Sequence, residues 1–215
     1  MGELSLVTLA IIVSNVLFSM QGFKDYSFFY KYKFSIRDIR QGDYKRLLSS
    51  GFLHADWQHL IFNMITLFFF ANNVIFYVGK VLFVIAYFGA LLLGNLFSLY
   101  FHRNEPYYTA VGASGAVTGI LYTAILFHPQ MTIFVFFLPM PAYLFGVGYL
   151  LYSVYGMKSR TDNIGHSAHF GGAIGGLIFT LIVRPSLIHQ EPLLVGAMSI
   201  PIVLLLIFRK KIERQ

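Results

Sequence analysis

The chain has no cysteine, so neither a disulfide framework nor thiolate chemistry is available to it, and its redox compartment stays open. Charge is nearly as scarce. Only 12% of the 215 residues are Asp, Glu, Lys or Arg, about half the share of an ordinary soluble domain. Low-complexity linkers and long polar inserts are also missing, which predicts one domain over residues 1–215. The residue after each histidine (Ala55, Leu60, Arg103, Pro129, Ser167, Phe170, Gln190) is never acidic, as a His-Glu-x-x-His zinc helix requires. No metal and no cofactor are therefore expected. A hydrolase elbow needs Gly-x-Ser-x-Gly, but the chain reads Gly112-Ala113-Ser114-Gly115-Ala116. Two intramembrane aspartates, the requirement of aspartyl chemistry in lipid, are lacking too, since Asp56 is the only acid in an apolar segment.

What is present is apolar: 57% of the residues, gathered in runs of about 17 to 25. A bilayer core takes about 20 such residues per helix and leaves no backbone polar group unpaired, so these runs are predicted to be membrane helices. Seven segments emerge, approximately Leu4 to Phe18, Leu48 to Tyr77, Val81 to Phe101, Val111 to Phe127, Pro141 to Tyr155, His166 to Val183 and Leu193 to Phe208. The first lacks a basic leader and a small-x-small cleavage site, so it is expected to be retained. Between the fourth and fifth segments Met131 to Pro141 is apolar but carries Pro139 and Pro141. Pro141 reads as a helix start, which makes the fifth helix short and a candidate mobile span.

The net charge is +7. Its cations lie in short loops and a tail rather than along one face, as lipid anchors do, so the expected partner is the bilayer and not nucleic acid. Gln21 to Lys45 mixes Tyr26, Phe28, Phe29, Tyr30 and Tyr32 with Lys24, Lys31, Lys33, Arg37 and Arg40, a composition suited to the headgroup region.

Polar groups inside apolar spans are expensive in lipid and mark functional sites by default. The second segment holds His54, Asp56, His59 and Asn63, the fourth opens on Gly112-Ala113-Ser114-Gly115, and the sixth on His166-Ser167-Ala168-His169. His59 and Asn63 are four apart and so share a helical face. Gly115 with Gly119 makes a small-xxx-small ridge, and Gly171, Gly172, Gly175 and Gly176 make two more directly after His169. Such ridges let helix backbones approach closely. That closeness matters because a serine hydroxyl becomes a nucleophile only with a base in hydrogen-bond reach. Taken singly, each feature is also what ordinary helix packing uses.

Taken together, Gly112-Ala113-Ser114-Gly115, Ala168-His169-Phe170-Gly171-Gly172 and His59-Leu60-Ile61-Phe62-Asn63 resemble the Gly-x-Ser-Gly, Ala-His-x-x-Gly and His-x-x-x-Asn motifs of the rhomboid intramembrane proteases, in the family's order. The likeness covers nearly the whole chain. It implies an all-α integral membrane fold with a six-helix core, about residues 1–185, plus one extra C-terminal transmembrane helix, about 193–208. It further implies a serine endopeptidase that cleaves transmembrane or juxtamembrane segments of membrane-protein substrates, with Ser114 as nucleophile, His169 as general base and acid, His59 and Asn63 as oxyanion donors, and the fifth helix as substrate gate. Alternatives are a non-catalytic rhomboid-like chaperone or binding protein, and a transporter, for which no inverted repeat is visible.

Two departures from the family pattern stand out. Thr118 occupies the position, four after the serine, where the family often has an aromatic ring packed on the catalytic histidine, and Ala71 to Gly79 lacks the usual acidic residue. The resemblance implies a Ser-His dyad; Asp162 lies seven residues before His169, outside the helix, and Asp56 belongs to another segment, so neither is an assured third member, and His169 is expected to be neutral and basic at pH 7. A bacterial inner membrane is the favoured location. On orientation two arguments diverge: loop cations put the Ser114 side in the cytoplasm, whereas the family likeness puts it on the opposite face, and the latter is the expectation retained.

Overall fold

A computed structural model describes residues 4–135, 137–159 and 164–213, with side chains described through 205 and at 207. Helices dominate. The order is α1 (Leu6–Lys24), α2 (Tyr26–Tyr32), β1 (Phe34–Ser35), α3 (Ile36–Arg40), α4 (Arg46–Ser49), a 3-10 turn at Ser50–Phe52, α5 (Trp57–Phe101), β2 (Thr109–Ala110), α6 (Ser114–Phe127), β3 (Thr132–Val135), β4 (Leu138–Pro141), α7 (Ala142–Ser159), α8 (His166–Val183), α9 (Leu187–Gln190) and α10 (Pro192–Glu213).

Among the described residues three helices, α1, α5 and α8, are long and apolar enough to cross a bilayer. The protein is therefore a membrane protein. At 45 residues, α5 would measure about 68 Å if straight, more than twice the roughly 30 Å hydrocarbon core. Gly79 interrupts it with φ 78° and ψ 170°, a conformation open to glycine because it has no Cβ. The break falls between the second and third predicted segments. Ser114–Phe127 and Pro192–Leu205 are shorter apolar helices.

Several expectations shift. The second helix was expected from Leu48 but starts at Trp57, because Asp56 adopts extended backbone and its side chain accepts the His59 N–H as an N-cap. Asp56 is thus an exposed capping residue and not an acid within a span. Residues 46–52 instead form short turns packed below α5. Met131 to Pro141, expected as an apolar loop leading into a helix at Pro141, is a β3–β4 hairpin that pairs Thr132 with Pro141 and Val135 with Leu138; α7 begins one residue later.

The loop after α1 is folded around one cation. Arg46 donates through Nη1 to the carbonyls of Tyr30 and Lys33, both at 2.8 Å, and its Nε meets Asp43 Oδ2 at 2.8 Å. Its Nη2 reaches Asp38 Oδ2 at 3.2 Å. A buried guanidinium is tolerated only when its donors are used in this way. Asn95 in the second part of α5 then ties the loop down, donating to Leu47 O at 2.8 Å and Ser50 Oγ at 3.2 Å.

At the centre α6, α8 and the second part of α5 pack backbone to backbone. A Cβ placed on Gly172 would lie 2.0 Å from Gly115 O, one on Gly176 2.2 Å from Gly119 O, and one on Gly94 2.7 Å from Ala168 O. Real atoms do not approach so closely, so glycine is obligatory there. Gly148 on α7 has open space around it. Gly176→Ala should therefore destabilise the protein by about 1–3 kcal/mol through overpacking, while Gly148→Ala should change stability by less than about 0.5 kcal/mol. Thermal unfolding in detergent compares them; equal behaviour would contradict the close contact.

Candidate active site

The glycine contacts decide where the predicted residues meet. With Gly172 against Gly115 and Ala168 against Gly94 and Gly115, Ser114 at the start of α6 and His169 in the first turn of α8 open their helices side by side. Ser114 is partly buried and His169 is buried. The first-turn N–H groups of α6 have no intrahelical partner and carry the positive end of the helix dipole.

Gly112 brings in the third motif. It has φ +130°, its N–H donates to Ser50 O at 3.0 Å, and a Cβ there would lie 2.7 Å from His59 Cε1, 2.8 Å from His59 Nε2 and 3.5 Å from Ser114 Oγ. The His59 ring and the Ser114 hydroxyl thus flank one glycine that no other residue replaces. Asn63, one turn below, is buried and donates through Nδ2 to His59 O at 2.9 Å, leaving its second amide hydrogen for other use.

His54 was singled out in the sequence only as a polar group; its bonds fix both its tautomer and its purpose. Ser19 Oγ donates to Phe52 O at 3.0 Å, so at 2.9 Å from His54 Nδ1 it must accept that ring's proton. Nε2 is then a lone pair, and it accepts the Ala113 N–H at 3.4 Å. His54 therefore holds the backbone beside Ser114 while α1 holds His54. It also meets the His59 ring edge-on, with centroids 4.9 Å apart.

The bond shown for His169 does not go to Ser114. Its Nδ1 lies 2.8 Å from Tyr149 Oη, and the two rings stack at 5.9 Å and 24°. The sequence reading did not include Tyr149. A further polar chain runs beside the start of α8: Ser167 Oγ lies 2.9 Å from Ser98 Oγ and 3.1 Å from His102 Nε2, and His102 Nδ1 lies 3.1 Å from Glu105. Asp162 lies outside the described residues. Among those described, no cluster of His, Cys, Asp or Glu could hold a metal ion.

Residues 41–186 match the rhomboid domain. The chain belongs to the rhomboid family. It is similar to a mitochondrial rhomboid-like protein of Arabidopsis thaliana, 29% identical over 185 residues, 78% of this chain and 55% of that one. A mitochondrial rhomboid protein of Saccharomyces cerevisiae is 27% identical over 150 residues, 67% of this chain and 43% of the other. A rhomboid protein of Bacillus subtilis is 36% identical over 83 residues, 38% and 40% of the two chains. The rhomboid chain thus spans about half the length, or less, of these relatives. Its longer matches carry mitochondrial names, which does not fit the bacterial inner membrane expected above.

The His54 environment predicts a pH effect. Burial first, and the neighbouring His59 second, disfavour its charged form against the opposing pull of Asp56, and its pKa falls to about 3. The unfolded chain takes up that proton near pH 6.5 and the folded chain does not, so stability should decline as pH is lowered from about 6.5 toward 3. His54→Gln removes the titrating group and should flatten that decline in thermal unfolding between about pH 7 and 4. An unchanged slope would show that His54 is not held neutral.

Proposed function

We propose that this rhomboid chain is an intramembrane serine endopeptidase working through a Ser114–His169 dyad on transmembrane or juxtamembrane segments of single-span membrane proteins. The observation carrying this reading is the glycine contact between α6 and α8, which brings a serine at a helix N-terminus beside a buried histidine, with a second histidine flanking the same serine across Gly112. Family membership supports it.

In the proposed reaction Ser114 Oγ attacks the scissile carbonyl carbon as its proton passes to His169. Negative charge collects on the carbonyl oxygen, where His59, Asn63 and the first-turn N–H groups of α6 offer donors; one such donor is worth about 3 kcal/mol in other hydrolases. The C–N bond then breaks, His169 returns its proton to the leaving amine, and an acyl-enzyme on Ser114 remains. Water, deprotonated by His169, releases the second product. Desolvation by the surrounding helices strengthens each of these charge interactions.

We place the bilayer and membrane-protein substrates as partners, with no nucleic acid. Six helices, α1, the two parts of α5, α6, α7 and α8, form the proposed membrane core; α10 is the proposed extra span and α7 the proposed gate. The site opens on the face away from the cytoplasm.

A fluorophosphonate probe applied to the full chain in detergent tests the chemistry. Wild-type protein should be labelled and Ser114→Ala should not. Labelling that survives that substitution would sink the nucleophile assignment, and a wild-type protein that binds single-span proteins without labelling or cleavage would mark a non-catalytic rhomboid. His169→Ala should be as severe as Ser114→Ala, with no added loss in the double variant because the two act in one step. Asn63→Ala should lower turnover by about 10- to 1000-fold with little change in KM. Parallel losses of melting temperature and activity would assign Asn63 to packing instead.

A further inference from the structure

The proposed dyad leaves a question that its two members cannot answer: what orients the imidazole. A histidine acts as base toward serine only if the nitrogen facing the hydroxyl carries the lone pair, and the hydrogen bond made by the other nitrogen sets which one does. In triads a carboxylate makes that bond. Here Asp56 caps α5 and its exposed carboxylate bonds the His59 N–H, far from this role, and the position where the family supplies a supporting ring holds Thr118.

We infer that Tyr149 of α7 is the positioning residue of His169, its hydroxyl oxygen accepting the Nδ1–H. This rests on the Ser114–His169 reading above. The inference stands on one contact and the alignment that accompanies it. The hydroxyl is 2.8 Å from Nδ1, and the ring planes lie 24° apart with centroids at 5.9 Å, so the phenol meets the imidazole at its edge and nearly in its plane. A bond in that plane restrains rotation of the imidazole. Nε2 is the nitrogen proposed to face Ser114.

The proposed role sets the direction of the bond. A phenolic oxygen can donate its one proton or accept another, and a base whose Nε2 faces a serine must carry its proton on Nδ1, so Tyr149 Oη is the acceptor. Where the family often has a ring at position 118 this chain has Thr118, and Tyr149 brings an aromatic side chain to His169 from α7.

Tyr149→Phe keeps the ring and removes the oxygen. It should keep the wild-type melting temperature and KM while lowering kcat and the rate of fluorophosphonate labelling by about 10- to 100-fold, as loss of orientation does. Tyr149→Ala, which removes the ring as well, should fall further. A Tyr149→Phe protein with wild-type kcat overturns the assignment. Nitrogen NMR of the 15N-histidine-labelled full chain in micelles, with the His169 signals identified by their loss in His169→Gln, reads the bond without any activity. The wild type should carry its proton on Nδ1 and Tyr149→Phe should shift toward the other tautomer. An Nε2–H imidazole in the wild type, or identical spectra in the two proteins, overturns it. If the wild type neither labels nor cleaves, the protease reading fails, and the NMR result still decides whether Tyr149 holds His169.

Discussion

Two helix backbones touch where side chains would otherwise stand, and the rest of the site follows from that contact. Lipid offers no hydrophobic force between apolar helices, so close packing and satisfied polar groups must hold them together. On α6 the small positions are Gly115 and Gly119; on α8 they are Gly172 and Gly176, and each pair faces the other at the same spacing. Sliding one helix by a turn would leave only one glycine pair in contact and drive Thr180 or Thr123 into a carbonyl. Register is therefore fixed by sterics. A fixed register puts the residue before Gly115, which is Ser114, beside the residue after Ala168, which is His169. The proposed reactive pair is a by-product of where glycine is obligatory.

A second set of constraints fixes the strand of backbone that leads into Ser114. Gly112 is pinned by its own conformation and by the His59 ring, and Ala113 by the lone pair of His54. His54 is held by Ser19 on α1, and the loop that follows α1 is organised around Arg46. Polar interactions thus run in series from the first helix to the candidate nucleophile. Ser19, His54 and Arg46 are each hydrogen-bonded, which is what makes such polar groups tolerable in an apolar protein.

The parts of this arrangement that were legible in the sequence are those with a local signature. Glycines four apart announce a packing face, His59 and Asn63 announce a shared face, and long apolar runs announce helices. Boundaries were less readable, because Asp56 looks like a costly intramembrane acid until its capping bond to His59 N–H is seen. The β3–β4 hairpin was hidden because its residues are apolar and two are prolines, which suggest a loop; a two-stranded hairpin has outer edges where proline loses no ladder bond. Contacts between residues distant in sequence left no trace at all. Ser167 to His102 spans 65 positions and Tyr149 to His169 spans 20, with no periodicity to link them. Thr118 was the exception, since a missing ring can be noticed even when its replacement cannot be located.

That replacement bears on how α7 behaves. One face of α7 is open, with Leu144, Leu151 and Tyr155 exposed. The other packs on α6, α8 and α10: Ala142, Leu150 and Met157 are buried, Tyr122 donates to Gly146 O, Gly146 closes on Met198 of α10 and Ile125, and Gly156 closes on the His166 ring. Tyr149 lies between those clamps and bonds His169 directly. A helix held this way cannot swing out as a passive door, because the motion proposed to admit a substrate between α7 and its neighbours also strains the bond to His169, the proposed base. Cost and readiness are then tied together: α7 at rest keeps the imidazole oriented, and α7 displaced lets it turn. Under the proposed protease activity, either the displacement must spare Tyr149 by pivoting near the middle of α7, or α7 must close again over the bound segment before the proposed proton transfer.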